Sequence, residues 1–191
     1  SMYLEQPSMA LERVRLELER VGNKVNAMVR DSFPTLLVGT RDRIDALVQR
    51  DNEVDSLTDA VTLYLRELST RDLVGPQPER LQVYLGVTSY LENIADIIET
   101  GVAADSRKRL DKDLDFTEET EDYIKDIYKE LYQAAQATVE ALIEDDSEKA
   151  RAVIDNKSRF NGLVEKARTN VYNRLKHEKG GGLAVYKIET S

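Results

Sequence analysis

The chain has 191 residues, of which 41% are hydrophobic and 33% charged, and its net charge at pH 7 is −9. This length and composition allow one domain or two small ones with a buried core, and they exclude a disordered chain. The negative charge, without a dense basic run, disfavours binding to nucleic acid or to an anionic membrane surface. With no cysteine and only His177 as histidine, the chain lacks the ligands of thiolate or histidine-rich metal sites and the groups of Ser-His catalysis. Carboxylates are therefore the abundant metal ligands.

A first helix is predicted to start at Pro7-Ser8, with Ser8 as its N-cap. The apolar residues that follow recur at alternating spacings of three and four, which is typical of a helix that packs along one face. Pro34 predicts a bend in the last turns, and Val-Gly-Thr at 38–40 predicts a tight turn between helices. The seam of this helix consists of Leu11, Val14, Leu18, Val21, Val25 and Met28.

The second helix is predicted from Arg41 to about Ser69, and one acid interrupts its apolar seam. Asp51 lies on the seam, and Asp55 lies one turn further along the same side. An acid on a core-facing seam is desolvated, so it requires a cation, a hydrogen-bond donor or a metal. The apolar seam positions are Ile44, Leu47 or Val48, Val54, Val61, Leu65 and Leu68.

A loop with prolines at 76 and 78 separates this helix from a third, predicted from Glu79 to about Ala104 and followed by a charged connector at 105–115. The third helix carries a second pair of acids one turn apart, Glu92 and Asp96. Its apolar face consists of Leu81, Tyr84 or Leu85, Thr88, Leu91, Ala95 and Ile98.

Three more helices are predicted in the second half of the chain. The fourth begins near Thr117 and is capped by Asp115 or Thr117. A turn at 145–147 follows, with Ser147 as the N-cap of the fifth helix, and three glycines at 180–182 end that helix. The sixth helix starts at Leu183 and is truncated at Ser191.

The two halves repeat each other. At an offset of 106 the apolar seam of 18–65 falls on that of 124–171, and at an offset of 102 residues 81–89 share Leu, Val, Tyr, Thr and Ser with 183–191. The sequence therefore predicts an all-α fold of tandem antiparallel three-helix bundles, at 8–104 and 115–191, with the sixth helix incomplete.

The four acids Asp51, Asp55, Glu92 and Asp96 suggest a cation site between the second and third helices of the first repeat. Oxygen ligands without histidine favour Mg²⁺, Ca²⁺ or Mn²⁺. In the alternative interpretation, these acids form salt bridges or are solvated at the bundle edge. The second repeat has Lys157 and Asn161 at the positions of Asp51 and Asp55, so metal binding is predicted for the first repeat alone.

The segments R-D-N-E-V-D-S-L at 50–57 and S-Y-L-E-N-I-A-D at 89–96, on successive helices of a repeated unit, resemble the PhoU family. The resemblance is closest to the PhoU-like cytosolic domain of bacterial sodium/phosphate cotransporters. It implies a regulator of phosphate uptake that in some members of the family binds iron, zinc or nickel through these acids and is often dimeric. We therefore expect a cytoplasmic domain at the inner face of the cell membrane, with a phosphate transporter as partner within the same native polypeptide.

Other functions are less compatible with the sequence. An enzyme is not expected, because the chain lacks the Glu-x-x-His motifs of helical di-iron proteins and a second histidine for a nucleophile-base pair. The glycines at 180–182 lack the context of a phosphate-binding loop. Lipid insertion is not expected, since no apolar run reaches the roughly 18 residues of a membrane span. The remaining alternatives are a stand-alone PhoU-like regulator, a metal-free helical module for interaction or oligomerisation, and a sensory bundle with a small-molecule pocket.

Overall fold

A computed structural model describes residues 6–112 and 116–155, together with residues 162 and 165. Every regular element in these ranges is helical, so the predicted all-α class is confirmed. In that part of the chain, each helix is too short or too polar to cross a lipid bilayer. The elements are α1 (Pro7–Val38), α2 (Arg41–Ser69), α3 (Gln77–Ile97), a π-helical turn (Ile98–Ala103), α4 (Ala104–Lys112), α5 (Glu118–Ile143) and α6 (Ser147–Asp155).

The helices α1, α2 and α3 pack against one another and enclose the main core. The spacing of three and four residues places the apolar side chains of each helix on one stripe, and these stripes meet at the centre. The predicted seam of α1 is confirmed, since all six of its residues are buried. The α2 and α3 seams are buried as well, except that Val48 and Leu85 are only partly buried.

The first helix begins two residues earlier than a cap at Ser8 would place its start. Pro7 is the first helical residue and Gln6 precedes it, so the prediction that Ser8 is the N-cap is wrong. Proline is favoured at the first helical position because it has no N–H to leave unpaired there. Ser8 instead accepts a hydrogen bond at Oγ from Nε2 of Gln77, 2.8 Å away. The predicted turn at 38–40 is confirmed by the end of α1 at Val38 and the start of α2 at Arg41.

The charged segment after α3 is helical, which corrects the prediction of a connector from 105 onwards. The helix continues through the π-helical turn into α4, which ends at Lys112. Ion pairs hold α4 against the start of α2: Arg107 Nη2 lies 2.9 Å from Asp45 Oδ1, and Arg41 Nη2 lies 2.5 Å from Asp111 Oδ1. These tertiary contacts favour a helix where charge density alone suggested a solvated loop.

The turn before α6 is capped by a different residue from the one predicted. Ser147 is the first residue of α6, and the carboxylate of Asp146 accepts hydrogen bonds from the backbone N–H groups of Glu148 and Lys149, each at 3.0 Å. Asp146 is therefore the N-cap, and the prediction for Ser147 is wrong. An ionised carboxylate at this position also interacts favourably with the helix dipole.

Helices α5 and α6 pack directly on the first three helices. Helix α5 lies along α1, and α6 lies on α3 and α5. A Cβ atom on Gly22 of α1 would lie 2.6 Å from Val139 of α5, and one on Gly86 of α3 would lie 2.7 Å from Ile154 of α6. Both glycines thus allow close approach of the helices. At the end of α5, the guanidinium of Arg15 donates a hydrogen bond of 2.8 Å to the carbonyl of Leu142.

Several sequence predictions concern residues outside the described ranges. They are the equivalents of the first acid pair (Lys157 and Asn161), His177, the glycines at 180–182 and the sixth helix from Leu183. The division into repeats at 8–104 and 115–191 likewise stays a prediction.

A proline inside α1 creates the site at which α5 is anchored. Pro34 has no N–H, so the carbonyl of Arg30 lacks its usual partner four residues ahead. The hydroxyl of Tyr128 on α5 donates a hydrogen bond of 3.0 Å to that carbonyl. The ring of Tyr128 also stacks on Phe33, with centroids 5.1 Å apart. Helix α5 therefore satisfies a backbone group that α1 cannot satisfy itself.

We predict that Tyr128→Phe lowers the free energy of unfolding by about 1 kcal/mol, because the Arg30 carbonyl loses its donor. In a Pro34→Ala background, the N–H of residue 34 reaches the same carbonyl, so the effect of Tyr128→Phe should shrink. Urea denaturation of the four proteins gives the coupling energy. Tyr132→Phe, whose hydroxyl accepts a hydrogen bond within α5, is the control. Equal effects of Tyr128→Phe in both backgrounds would contradict the prediction.

Candidate metal centre

Asp51 is a buried acid in the core of the first three helices. Its side chain follows Leu47 and precedes Val54 on the buried seam of α2, and only 2% of the residue is exposed. The burial follows from the helical repeat, because a position between two core residues at these spacings must face α1 and α3. The predicted location of Asp51 on the seam is confirmed.

Three carboxylates from two helices converge at this point. Asp51 and Asp55 of α2 and Asp96 of α3 each offer an oxygen, and these oxygens lie within 4.8 Å of one another. Burial decreases through the group, since Asp51 is buried, Asp55 is half-buried and Asp96 is exposed. The three residues, here called the acid cluster, therefore form a site that is closed at one end and open to solvent at the other.

Among the described residues, no nearby positive side chain balances the negative charges of the acid cluster. Burial, followed by the charges of Asp55, Glu99 and Asp96, raises the pKa of Asp51 to about 7. Burial, followed by Asp96 and Asp59, also raises the pKa of Asp55. Within the described ranges, the buried Oδ1 atoms of Asp51 and Asp55 have no hydrogen-bond partner, and the acid cluster forms no salt bridge. These observations favour a bound cation over the salt-bridge alternative.

Two glutamates near Asp96 in the sequence, Glu92 and Glu99, differ in their relation to the acid cluster. Glu92, a predicted site residue, is half-buried on α3 and is not one of the three clustered carboxylates. Glu99, in the π-helical turn, contributes to the raised pKa of Asp51, which places its charge near the cluster. Glu99 is not among the site residues predicted from the sequence. Its spacing of three residues from Asp96 was a weak signal, but a change of helical pitch at Ile98 cannot be read from the sequence.

Comparison with known protein families identifies the first half of the chain. The PhoU domain family matches residues 18–102, a range that contains Asp51, Asp55, Glu92, Asp96 and Glu99. Residues 18–102 thus resemble a PhoU domain. The resemblance found in the sequence is thereby confirmed at the level of the family.

A curated protein similar to this chain is YjbB of Salmonella typhimurium, whose name describes inorganic phosphate export. The two are 26% identical over 188 residues, which cover 98% of this chain and 34% of YjbB. The chain thus spans about a third of the length of this relative. The comparison with solved structures gave no significant match.

The donors of the acid cluster fit a divalent or ferric ion. The acid cluster supplies only carboxylate oxygens, two of which are buried and unpaired, and such a set suits Mg²⁺, Ca²⁺ or Mn²⁺. Iron and zinc also accept carboxylate ligands, so the ligand type does not separate these metals. The acid cluster could therefore hold a metal ion with ligands from both α2 and α3.

We predict that Asp51→Asn stabilises the metal-free protein above pH 8. The folded-state pKa of Asp51, about 7, exceeds the ordinary value of 3.8. The stabilisation from holding this proton is therefore complete below pH 4 and is lost as the pH rises through 7. The Asn variant, which has no such proton, should gain on the order of 1 to 3 kcal/mol over wild type between pH 4 and 8.

Urea denaturation with chelator at both pH values measures this difference. The control is Asp72→Asn, which removes an exposed acid from the loop between α2 and α3. A difference between Asp51→Asn and wild type that stays constant from pH 4 to 8 would contradict the prediction.

Proposed function

We propose that this chain is a cytosolic regulatory domain of a sodium-dependent phosphate transporter, controlling phosphate movement through protein contacts and a metal-dependent structural site, without enzymatic activity. The observation that carries the proposal is the buried, unpaired carboxylate of Asp51 inside a cluster of acids within a PhoU domain. Free carboxylates at a core position destabilise a domain unless a ligand uses them, so their presence favours a binding role.

The transporter context is supported by the alignment with YjbB. Almost the whole chain aligns, yet it spans only 34% of a relative named for inorganic phosphate export. A domain of this kind would lie at the inner face of the membrane, with the transporter as its partner and a second copy as a further partner. The sodium-coupled type of transporter is inferred from the family resemblance alone.

A stand-alone PhoU-like regulator is the second candidate. The family match to residues 18–102 supports it equally well, because that match concerns the domain and not its attachment. Both candidates use the same acid cluster, and they differ in whether the partner is joined covalently.

The acid cluster would connect metal occupancy to the packing of the first repeat. Asp51 and Asp55 belong to α2, whereas Asp96 belongs to α3, so shared coordination would hold the two helices together. A bound cation would also offset the repulsion that raises the pKa values of Asp51 and Asp55. Binding would release a proton from Asp51 near neutral pH, so metal affinity should fall on acidification below about pH 7.

We predict that the protein binds Mn²⁺, Fe³⁺ or Zn²⁺ in isothermal titration calorimetry, and that Asp51→Asn with Asp96→Asn weakens the affinity at least about tenfold. The double variant removes one ligand from each helix. Asp72→Asn removes one exposed charge and should bind like wild type. Metal content after purification without chelator, measured by mass spectrometry, is the second readout. Equal metal content in wild type and the double variant would contradict the metal proposal.

Single substitutions of the two flanking glutamates test which of them belongs to the centre. Glu99→Gln should weaken metal binding several-fold, since its charge acts on Asp51, whereas Glu92→Gln tests the motif residue that the structure leaves outside the acid cluster. A larger loss with Glu92→Gln would show that metal binding repositions Glu92.

We predict that Asp51→Asn with Asp96→Asn, introduced into the native gene, changes cellular phosphate flux at least about twofold, because metal binding stabilises the regulatory conformation. Uptake and export of radiolabelled phosphate give the readout, and Asp72→Asn is the control. Protein abundance is measured in the same cells to separate regulation from degradation. Unchanged flux at equal abundance would favour a metal-free interaction module.

A further inference from the structure

A groove opens between the end of α1 and the start of α2, formed by different residues from the acid cluster. Its volume is about 410 Å³, which lies in the range of small-molecule sites. The apolar part of its lining comes from Pro34 of α1 and from Ala46 and Leu47 of α2. The side chains at its polar edge are Asp31, Arg43 and Arg50.

The two arginines are arranged along one face of α2. Arg43 and Arg50 are seven residues apart, which corresponds to two helical turns and about 10 Å along the axis. Arg43 is exposed and forms no ion pair with any described residue. In a protein whose net charge is −9, this local excess of positive charge is unusual.

Arg50 is held in place by an acid on the neighbouring helix. Its Nη1 lies 2.5 Å from Oδ2 of Asp31, and Nε of Arg30 lies 3.1 Å from the other oxygen of Asp31. Burial raises the pKa of Asp31, but the hydrogen bonds from Arg50 and Arg30 outweigh burial and leave this pKa below its ordinary value. Asp31 therefore stays ionised at neutral pH and fixes the guanidinium of Arg50 at the groove, with its other N–H groups free to donate.

These features together specify the chemistry of a ligand. Two guanidinium groups and one carboxylate line the groove, so its net charge is positive and suits an anion. A ligand with a phosphate monoester carries two negative charges. It therefore matches two arginines better than a ligand with one carboxylate group would. The groove is larger than one phosphate group, and the apolar surface of Pro34, Ala46 and Leu47 would contact a flat or apolar body.

We propose that the groove between α1 and α2 is a binding site for a small phosphate monoester, with the phosphate on Arg43 and Arg50 and the body of the ligand on Pro34, Ala46 and Leu47. The site is independent of the proposed metal function. The sequence alone does not reveal it, because the two arginines are separated in sequence and meet the α1 residues only in the folded hairpin.

The test uses AMP as the phosphate monoester and measures its affinity by calorimetry and by NMR shifts at residues of the groove. The protein is kept metal-free with chelator, so that AMP cannot bind through a metal ion. We expect AMP to bind in the micromolar to millimolar range and adenosine, which lacks the phosphate, to show no binding. Inorganic phosphate and glucose 6-phosphate should bind several-fold more weakly than AMP, because neither offers an apolar body.

Four variants locate the site. Arg43→Gln should weaken AMP binding at least about tenfold, and Ala46→Leu, which fills the groove, should have a similar effect. Arg66→Gln removes the same charge from an exposed position elsewhere on α2 and should bind like wild type. Asp51→Asn should also bind like wild type, since it alters only the acid cluster. Circular dichroism checks that each variant is folded.

Absence of AMP binding, or AMP binding that Arg43→Gln leaves unchanged, would overturn the proposal. Inorganic phosphate binding as tightly as AMP would overturn the role assigned to the apolar wall. Loss of the AMP signal in Asp51→Asn but not in Arg43→Gln would place the nucleotide at the acid cluster and overturn the site.

Discussion

The repulsion between the buried carboxylate of Asp51 and the acids around it is the constraint on which the packing of the first three helices depends. Asp51 lies where an apolar side chain would pack best, and Asp55, Asp96 and Glu99 add negative charge around it. A protein can maintain such a site by protonating one acid or by binding a cation. Because the pKa of Asp51 is about 7, its protonated and ionised forms are both populated near neutrality when no cation is bound. The acid cluster therefore links the packing of α2 on α3 to the ionic conditions around the protein.

The other helices support the contact between α2 and α3 at the acid cluster. Helix α1 packs on α2 and α3 through one face and on α5 through another. Gly22 and Gly86 allow α5 and α6 to lie close to α1 and α3. Across the α1–α5 contact, Tyr128 and Arg15 donate hydrogen bonds to backbone carbonyls. A shift of α2 against α3 would thus change the surroundings of α1 and, through it, of α5.

Much of the fold could be predicted from the sequence, because periodic apolar residues determine which face of each helix is buried. The seams of α1, α2 and α3 and the burial of Asp51 follow from that pattern. The helix at 104–112 does not follow from that pattern, because it is held by ion pairs with α2 that no local signal reveals. The start of α1 at Pro7 was missed because Ser8 has the chemistry of an N-cap, and the cap at Asp146 was missed because Ser147 offers similar chemistry one position away.

The candidate site was only partly predictable for a related reason. A spacing of four residues places Asp51 and Asp55 on one side of α2, but their partners on α3 depend on helix register and pitch. The π-helical turn at Ile98–Ala103 changes that pitch next to Asp96, and Glu99 lies within it. The charged groove of Arg43, Arg50 and Asp31 depends on how the hairpin of α1 and α2 closes, which pattern analysis of single helices does not describe.

The hydrogen bond from Arg15 to the carbonyl of Leu142 also has a consequence for the way the protein is made. These residues are 127 positions apart, and a ribosome adds roughly 5 to 20 residues per second. The side of α1 that receives α5 must therefore remain uncovered for several seconds after the first three helices have left the exit tunnel. During that interval the nascent chain exposes a long, partly apolar helical surface, which makes it a target for chaperones or for premature contact with another copy.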